Sequence, residues 1–205
     1  MTSNRDLQSR RLWARVSGLA YLLVLGVDLT GLQLSHQLLG KWLMLAGSVF
    51  VVPLALGLYF TLKMFKPVTS AIALACRLVE VLIGLIVAVV RFDTVRSAFA
   101  GAHFGSFILE FVDWNTATSF DALIFTIGST LFFFVFVRSV SIPRVLGWLG
   151  LVASILAFAA CATHLVRPNF PALSAVLWIP MLLAELSTGG WLLIRSVPNA
   201  AIRTL

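Results

Sequence analysis

Arg77 and Glu80 stand three residues apart in the middle of one apolar run, and Glu185 stands in the middle of another. Residues three apart share a helix face, so Arg77 and Glu80 can pair as ions. A charge at the centre of a bilayer costs about 2.5–3.5 kcal/mol on insertion scales, so such residues turn inward and mark pathways, proton relays or ligand sites. Asp28, Asp121 and His164 fall toward the ends of three other apolar runs. Asp28, Glu80, Asp121 and Glu185 face a single embedded cation, Arg77. One arginine supports one or two carboxylates. Either some of these acids hold protons, or water or a cationic ligand reaches them. Glu185 is the foremost candidate for an acid that carries a proton or faces a ligand. The competing account is structural: Arg77, Glu80 and Glu185 would form one network that locks two helices together.

The elements that must position these residues follow from composition. Hydrophobic residues make up 60% of the 205-residue chain and charged residues 11%, with a mean hydropathy of +1.01. A soluble domain carries about 25% charged residues, so this chain has too little polar surface to cover a core in water. A bilayer crossing needs about 20 mostly apolar residues, and six runs meet that length: 12–34, 42–62, 68–90, 119–137, 145–166 and 173–194. Lipid offers no hydrogen bonds to the backbone, which leaves helices or a closed barrel. Barrel strands alternate apolar and polar residues, whereas Leu131-Phe-Phe-Phe-Val-Phe-Val137 is continuous. The expected fold is all-α: one integral domain over 1–205, a bundle of six transmembrane helices with short antiparallel connections. Leu12 onward is too long for a cleaved signal and reads as a retained first span. Pro53 and Pro180 sit inside spans and are expected to kink them.

Lys and Arg set the orientation. Arg5, Arg10, Arg11, Arg15, Lys63, Lys66, Arg138, Arg144, Arg195 and Arg203 would share one side, against Lys41, Arg91, Arg96 and Arg167 on the other. Both termini are therefore expected in the cytoplasm and the chain in the plasma membrane. With that orientation the embedded acids, His164, His36 and His103 lie from the midplane to the outer face, as a wet cavity opening outward would require. The only long connection, 92–117, faces outside. Val95, Phe99, Phe107 and Phe111 recur there at roughly helical spacing, which favours a helix lying on the membrane over a cap on the cavity. Gly101 and Gly105 have the spacing of a helix-pairing motif, but outside the bilayer.

Other chemistries are excluded or unsupported. The net charge of +7 and the pI near 10.5 come from basic residues at span ends, which meet lipid headgroups, so nucleic acid is not an expected partner. Cys76 and Cys161 lie in apolar runs without ligand spacing and read as small hydrophobic residues. There is no phosphate loop, zinc motif or nucleophile elbow. Haem would need facing ligands inside the bundle, and only His164 is near a span. No cofactor or metal is expected.

Three stretches carry a resemblance. They are Arg77-Leu-Val-Glu80, the run Ser139-Val-Ser-Ile-Pro-Arg-Val-Leu-Gly-Trp-Leu-Gly150, and Pro180-Met-Leu-Leu-Ala-Glu185 leading to Trp191-Leu-Leu-Ile-Arg195. In order and spacing the chain resembles, over 12–197, the bacterial multi-pass membrane proteins grouped as domain of unknown function 4386. Segment 92–117 has no match in that pattern. The resemblance implies a multi-pass membrane protein and no activity. It implies that Arg77, Glu80, Pro143, Arg144, Pro180 and Glu185 belong to the shared pattern.

Three functions are open. The first is a small transport or ligand-binding protein, possessing a polar cavity built on Arg77, Glu80 and Glu185 and acting on a proton or a small cationic molecule, with a homo-oligomer to supplement its small size. The second is a membrane scaffold or regulatory partner without chemistry. The third is an intramembrane enzyme that uses an embedded carboxylic acid as general acid on a lipophilic substrate. They rank in that order, so an enzyme is the least expected.

Overall fold

The computed structural model describes residues 4–100, 103–139, 141–166 and 171–197. Gly101, Arg167 and Arg203, and the side chains of Arg5 and His103, lie outside the described residues. Among the described residues eight helices follow one another: α1 (Asn4–Gln33), α2 (Leu38–Leu62), α3 (Pro67–Val90), α4 (Asp93–Ala100), α5 (His103–Thr118), α6 (Phe120–Arg138), α7 (Arg144–Val166) and α8 (Pro171–Ile194). No strand occurs among the described residues. Five helices are long and apolar enough to cross a bilayer: α1 over Leu7–Gln33, then α2, α3, α6 and α7. α8 is 24 residues long, with a shorter apolar stretch over Trp178–Ile194.

Local chemistry sets the boundaries. Pro67 opens α3, where its missing N–H has no partner to lose. Pro143 stands just before α7, and its carbonyl accepts the Gly147 N–H at 3.1 Å. Several hydroxyls inside the helices donate to the preceding turn: Ser17 to the Trp13 carbonyl at 2.8 Å, Thr61 to Gly57 at 2.7 Å and Ser154 to Gly150 at 2.7 Å. α1 begins eight residues before its apolar run. Arg and Gln favour helix as well as most apolar residues do, so Arg10, Arg11 and Arg15 ride on the helix and do not form a separate tail.

The six long helices close into a ring in the order α1, α2, α3, α6, α7, α8 and back to α1. Neighbours run antiparallel. Arg10 near the start of α1 donates to the Thr61 carbonyl near the end of α2, Gly18 of α1 lies against Gly189 and Leu193 of α8, and Val137 of α6 meets Gly147 of α7. The two termini therefore share one end of the ring, where the Ser196 hydroxyl donates to the Arg11 carbonyl at 3.2 Å. Toward that end the centre is filled by Leu54, Leu58, Phe132, Phe133 and Phe136, all 1% exposed or less. A Cβ on Gly150 would enter the Phe133 ring, so only glycine lets α6 and α7 approach this closely.

Among the described residues, segment 92–117 forms two helices, α4 and α5. α4 and α5 pack on each other and on the far ends of α3 and α6, where Phe99, Ile108 and Val112 meet Ile83, Val87 and Val90. Ion pairs hold the segment: Lys41 with Asp93 at 3.0 Å and Arg96 with Asp113 at 3.0 Å. Gly105 is buried against the Phe99 backbone where α5 turns back on α4.

Candidate functional site

Past the aromatic packing, the ring encloses two adjoining hollows of about 320 and 250 Å3. Asp28, Val51, Glu80 and Asp121 line both. The first extends toward Ser48, Gly84 and Arg91. The second is walled by Arg77, Phe125, Trp178 and Glu185. Their lining comes from α1, α2, α3, α6 and α8, with Arg91 just past α3. α4 and α5 contribute no lining residue.

Arg77 is 3% exposed. Its Nη1 lies 2.9 Å from Glu80 Oε2, across three residues of α3. The contact is an ion pair without hydrogen-bond alignment, since neither atom has a hydrogen-bond partner. The guanidinium also lies over the Phe125 ring of α6, 4.6 Å from its centroid. Gly128 makes room for this, because a Cβ there would stand 3.1 Å from Arg77 Cδ. Phe125 in turn stacks on Trp178 of α8 at 5.6 Å. Arg77 is thus held by its own helix and by an aromatic face, which attracts a cation through its ring quadrupole.

The other acids have no such support. Glu185 is 8% exposed, and among the described residues no cation lies within 4.0 Å of its carboxyl group. Asp28 is the least buried of the set. Its carboxyl lies against Gly47 of α2, and a Cβ there would displace it. Asp121 starts α6, where its backbone N–H donates to the buried Asn115 Oδ1 at 2.9 Å and its carboxyl is left free of ion pairs. Four carboxyl groups therefore share the hollows with two guanidinium groups, Arg77 and Arg91, and one close pair. Arg91 is drawn aside, its Nη1 3.2 Å from the Met44 sulfur. Among the described residues no three Asp, Glu, His or Cys side chains converge closely enough to hold a metal ion.

Five residues singled out from sequence, Arg77, Glu80, Glu185, Asp28 and Asp121, therefore line one pair of hollows. His164 does not: it is on α7, lines neither hollow, and its Nδ1 is buried without a partner. The expected depth of His164 along its helix said nothing about which way it faces. Phe125 and Trp178 were not anticipated, because aromatic residues in an apolar run carry no mark of a site until their neighbours are known.

A ring of long apolar helices around a charged hollow defines a multi-pass helical membrane protein. The family model for Domain of unknown function (DUF4386) matches residues 15–196, and the chain belongs to that family. Neither a curated protein nor a solved structure matches it.

Proposed function

We propose that the chain is a small transport or ligand-binding protein that takes up a monovalent organic cation, or a proton in its place, in the hollow between Arg77 and Glu185. The observation that carries this is Glu185, an almost fully buried carboxyl group that faces the hollow without a counter-ion. A buried, unpaired carboxylate is costly. Protonation removes the cost when the site is empty, and a bound cation removes it when the site is full. The carboxyl groups are spread around the walls, which suits a polyatomic cation better than a metal ion. Trp178, whose other face stacks on Phe125, offers a ring beside the acids, and aromatic faces with carboxylates are how amines and quaternary ammonium groups are recognised. Arg77 is paired with Glu80 and stands on the side a cation would avoid.

Six spans, with α8 as the sixth, both termini in the cytoplasm and insertion in the plasma membrane complete this reading; the hollows would then open from the midplane toward the outside. Transporters commonly bind near the midplane beside weakened helices, and Pro180 removes one backbone N–H from α8 five residues before Glu185. The scaffold account needs Arg77, Glu80 and Glu185 to tie helices together. The close pair lies within α3 alone, which favours binding over locking.

The test is calorimetry on the purified chain in nanodiscs with tetramethylammonium and methylammonium as probes, in two buffers of different ionisation heat. Binding with proton release that is abolished by Glu185→Gln and weakened at least tenfold by Trp178→Ala is the expected result. No heat with either probe and no proton release in the wild type would overturn the proposal.

A further inference from the structure

At the termini end of the ring a separate hollow of about 340 Å3 lies between α1 and α2, lined by Ser9, Arg10, Trp13, Phe60, Lys63 and Met64. It shares no residue with the acid-lined hollows. Arg10 is only 6% exposed. Its Nη2 donates to the Thr61 carbonyl at 3.2 Å, its guanidinium stands 5.1 Å from the Phe65 ring centroid, and its Nε has no partner. Lys63 Nζ lies 4.6 Å over the Phe60 ring. Among the described residues neither cation has a carboxylate within 4.0 Å.

A guanidinium this deep with an idle N–H and, among the described residues, no counter-charge is incomplete. Ordinary basic residues at span ends behave differently: they extend their heads into water or among headgroups. Arg15, Arg138 and Arg195 at the same end of the ring are all exposed in that way. Arg10 is folded into the protein and lines a hollow.

We propose that this hollow holds the phosphate group of an anionic phospholipid. Its level fits, because α2 ends at Leu62 and the hollow therefore sits where apolar helix gives way to headgroups. The planar fork of Arg10 matches two phosphate oxygens, and Lys63 adds a point charge beside it. Trp13 and Phe60, stacked at 4.8 Å, make a wall for the glycerol and the first acyl carbons, which a free phosphate ion would not use.

Native mass spectrometry of the full chain, released from mixed micelles of phosphatidylglycerol and phosphatidylcholine, tests this. The wild type retains one phosphatidylglycerol with at least tenfold preference. Arg10→Gln loses that preference, and Lys63→Gln, at a less buried site, reduces it severalfold even if Arg10→Gln fails to fold. Arg138→Gln, an exposed basic residue at the same end, leaves it unchanged. Equal preference in all four proteins would mean general attraction of a basic face and would overturn the site. So would displacement of the lipid by millimolar inorganic phosphate, or no preference in the wild type.

Discussion

Toward the termini, α2, α6 and α8 contribute Leu54, Leu58, Phe132, Phe133 and Leu192 to one core, all 1% exposed or less. Toward the opposite end α2, α6 and α8, now joined by α1 and α3, enclose Asp28, Glu80, Asp121 and Glu185 around open space. Lipid is as apolar as leucine, so burial by itself does not drive helices together in a membrane. The filled half gains dispersion contacts and close backbone approach at Gly150. The hollow half forgoes those contacts and keeps charges that lipid would reject. On the proposed reading the first half gives the ring its stability, and the second keeps space for a cation.

The largest expected effects separate the two halves. Phe133→Ala empties the filled half and destabilises toward the lower part of the about 3–5 kcal/mol seen for buried aromatic truncations, since lipid solvates the unfolded side chain. Glu185→Gln changes stability by less than about 1 kcal/mol, the size of one ordinary hydrogen bond, while cation binding is lost. Reversible unfolding in mixed micelles checks both, and equal losses in the two variants would erase the distinction.

At the far end, Asn115→Ala removes the acceptor of the part-buried Asp121 N–H and costs about 0.5–1.5 kcal/mol, the net worth of one hydrogen bond. The same unfolding assay measures it. Ser119, which precedes α6, adopts a left-handed backbone with φ 54°. That conformation costs a side-chain-bearing residue about 1–2 kcal/mol, and glycine escapes this cost but adds about 0.4–1 kcal/mol of unfolded-chain entropy. Ser119→Gly therefore gains about 0.5 kcal/mol on the balance of these terms, read as a raised unfolding midpoint.

The smallest effect lies in the surface tie between the ring and α4. The Lys41 ammonium donates a hydrogen bond to Asp93 and holds its carboxyl below the usual carboxylate range. A carboxyl lowered by folding stabilises above its unfolded value, near pH 3.9. That support disappears as pH falls through the lower folded value. Amide exchange in α4 quickens below pH 4 in the wild type, and in Lys41→Met it is already quick at neutral pH and shows no acid step.

Sequence gave the long helices to within a few residues except at the start of α1, where charged residues with good helix propensity extend an apolar run. Hydropathy fixes depth along a helix, which is why Glu80 and Glu185 could be placed at a similar level. It does not fix rotation about the axis. Arg77 and Glu80 escaped that limit because one helix sets their geometry. Glu185, Asp28 and Asp121 meet them only through ring closure, and His164, at a comparable expected depth, turns out to face elsewhere. Phe99, Phe107 and Phe111 suggested one helix over 92–117. The division into α4 and α5 was hidden because Gly105 matters through its contact with the Phe99 backbone, and spacing alone does not reveal such a contact.

The central claim, that the acids face a watery hollow prepared for cations, is tested most directly by thiol labelling. In a chain with Cys76→Ala and Cys161→Ala, single Glu185→Cys and Leu186→Cys variants would be exposed to water-soluble cationic and anionic thiosulfonates. Leu186 is 50% exposed on the outside of α8, and Glu185 is 8% exposed within the ring. The account predicts that position 185 reacts, fastest with the cationic reagent and more slowly in the presence of tetramethylammonium, while position 186, embedded in lipid, stays inert. Reaction at 186 with none at 185, or equal rates for both reagents at 185, would contradict it.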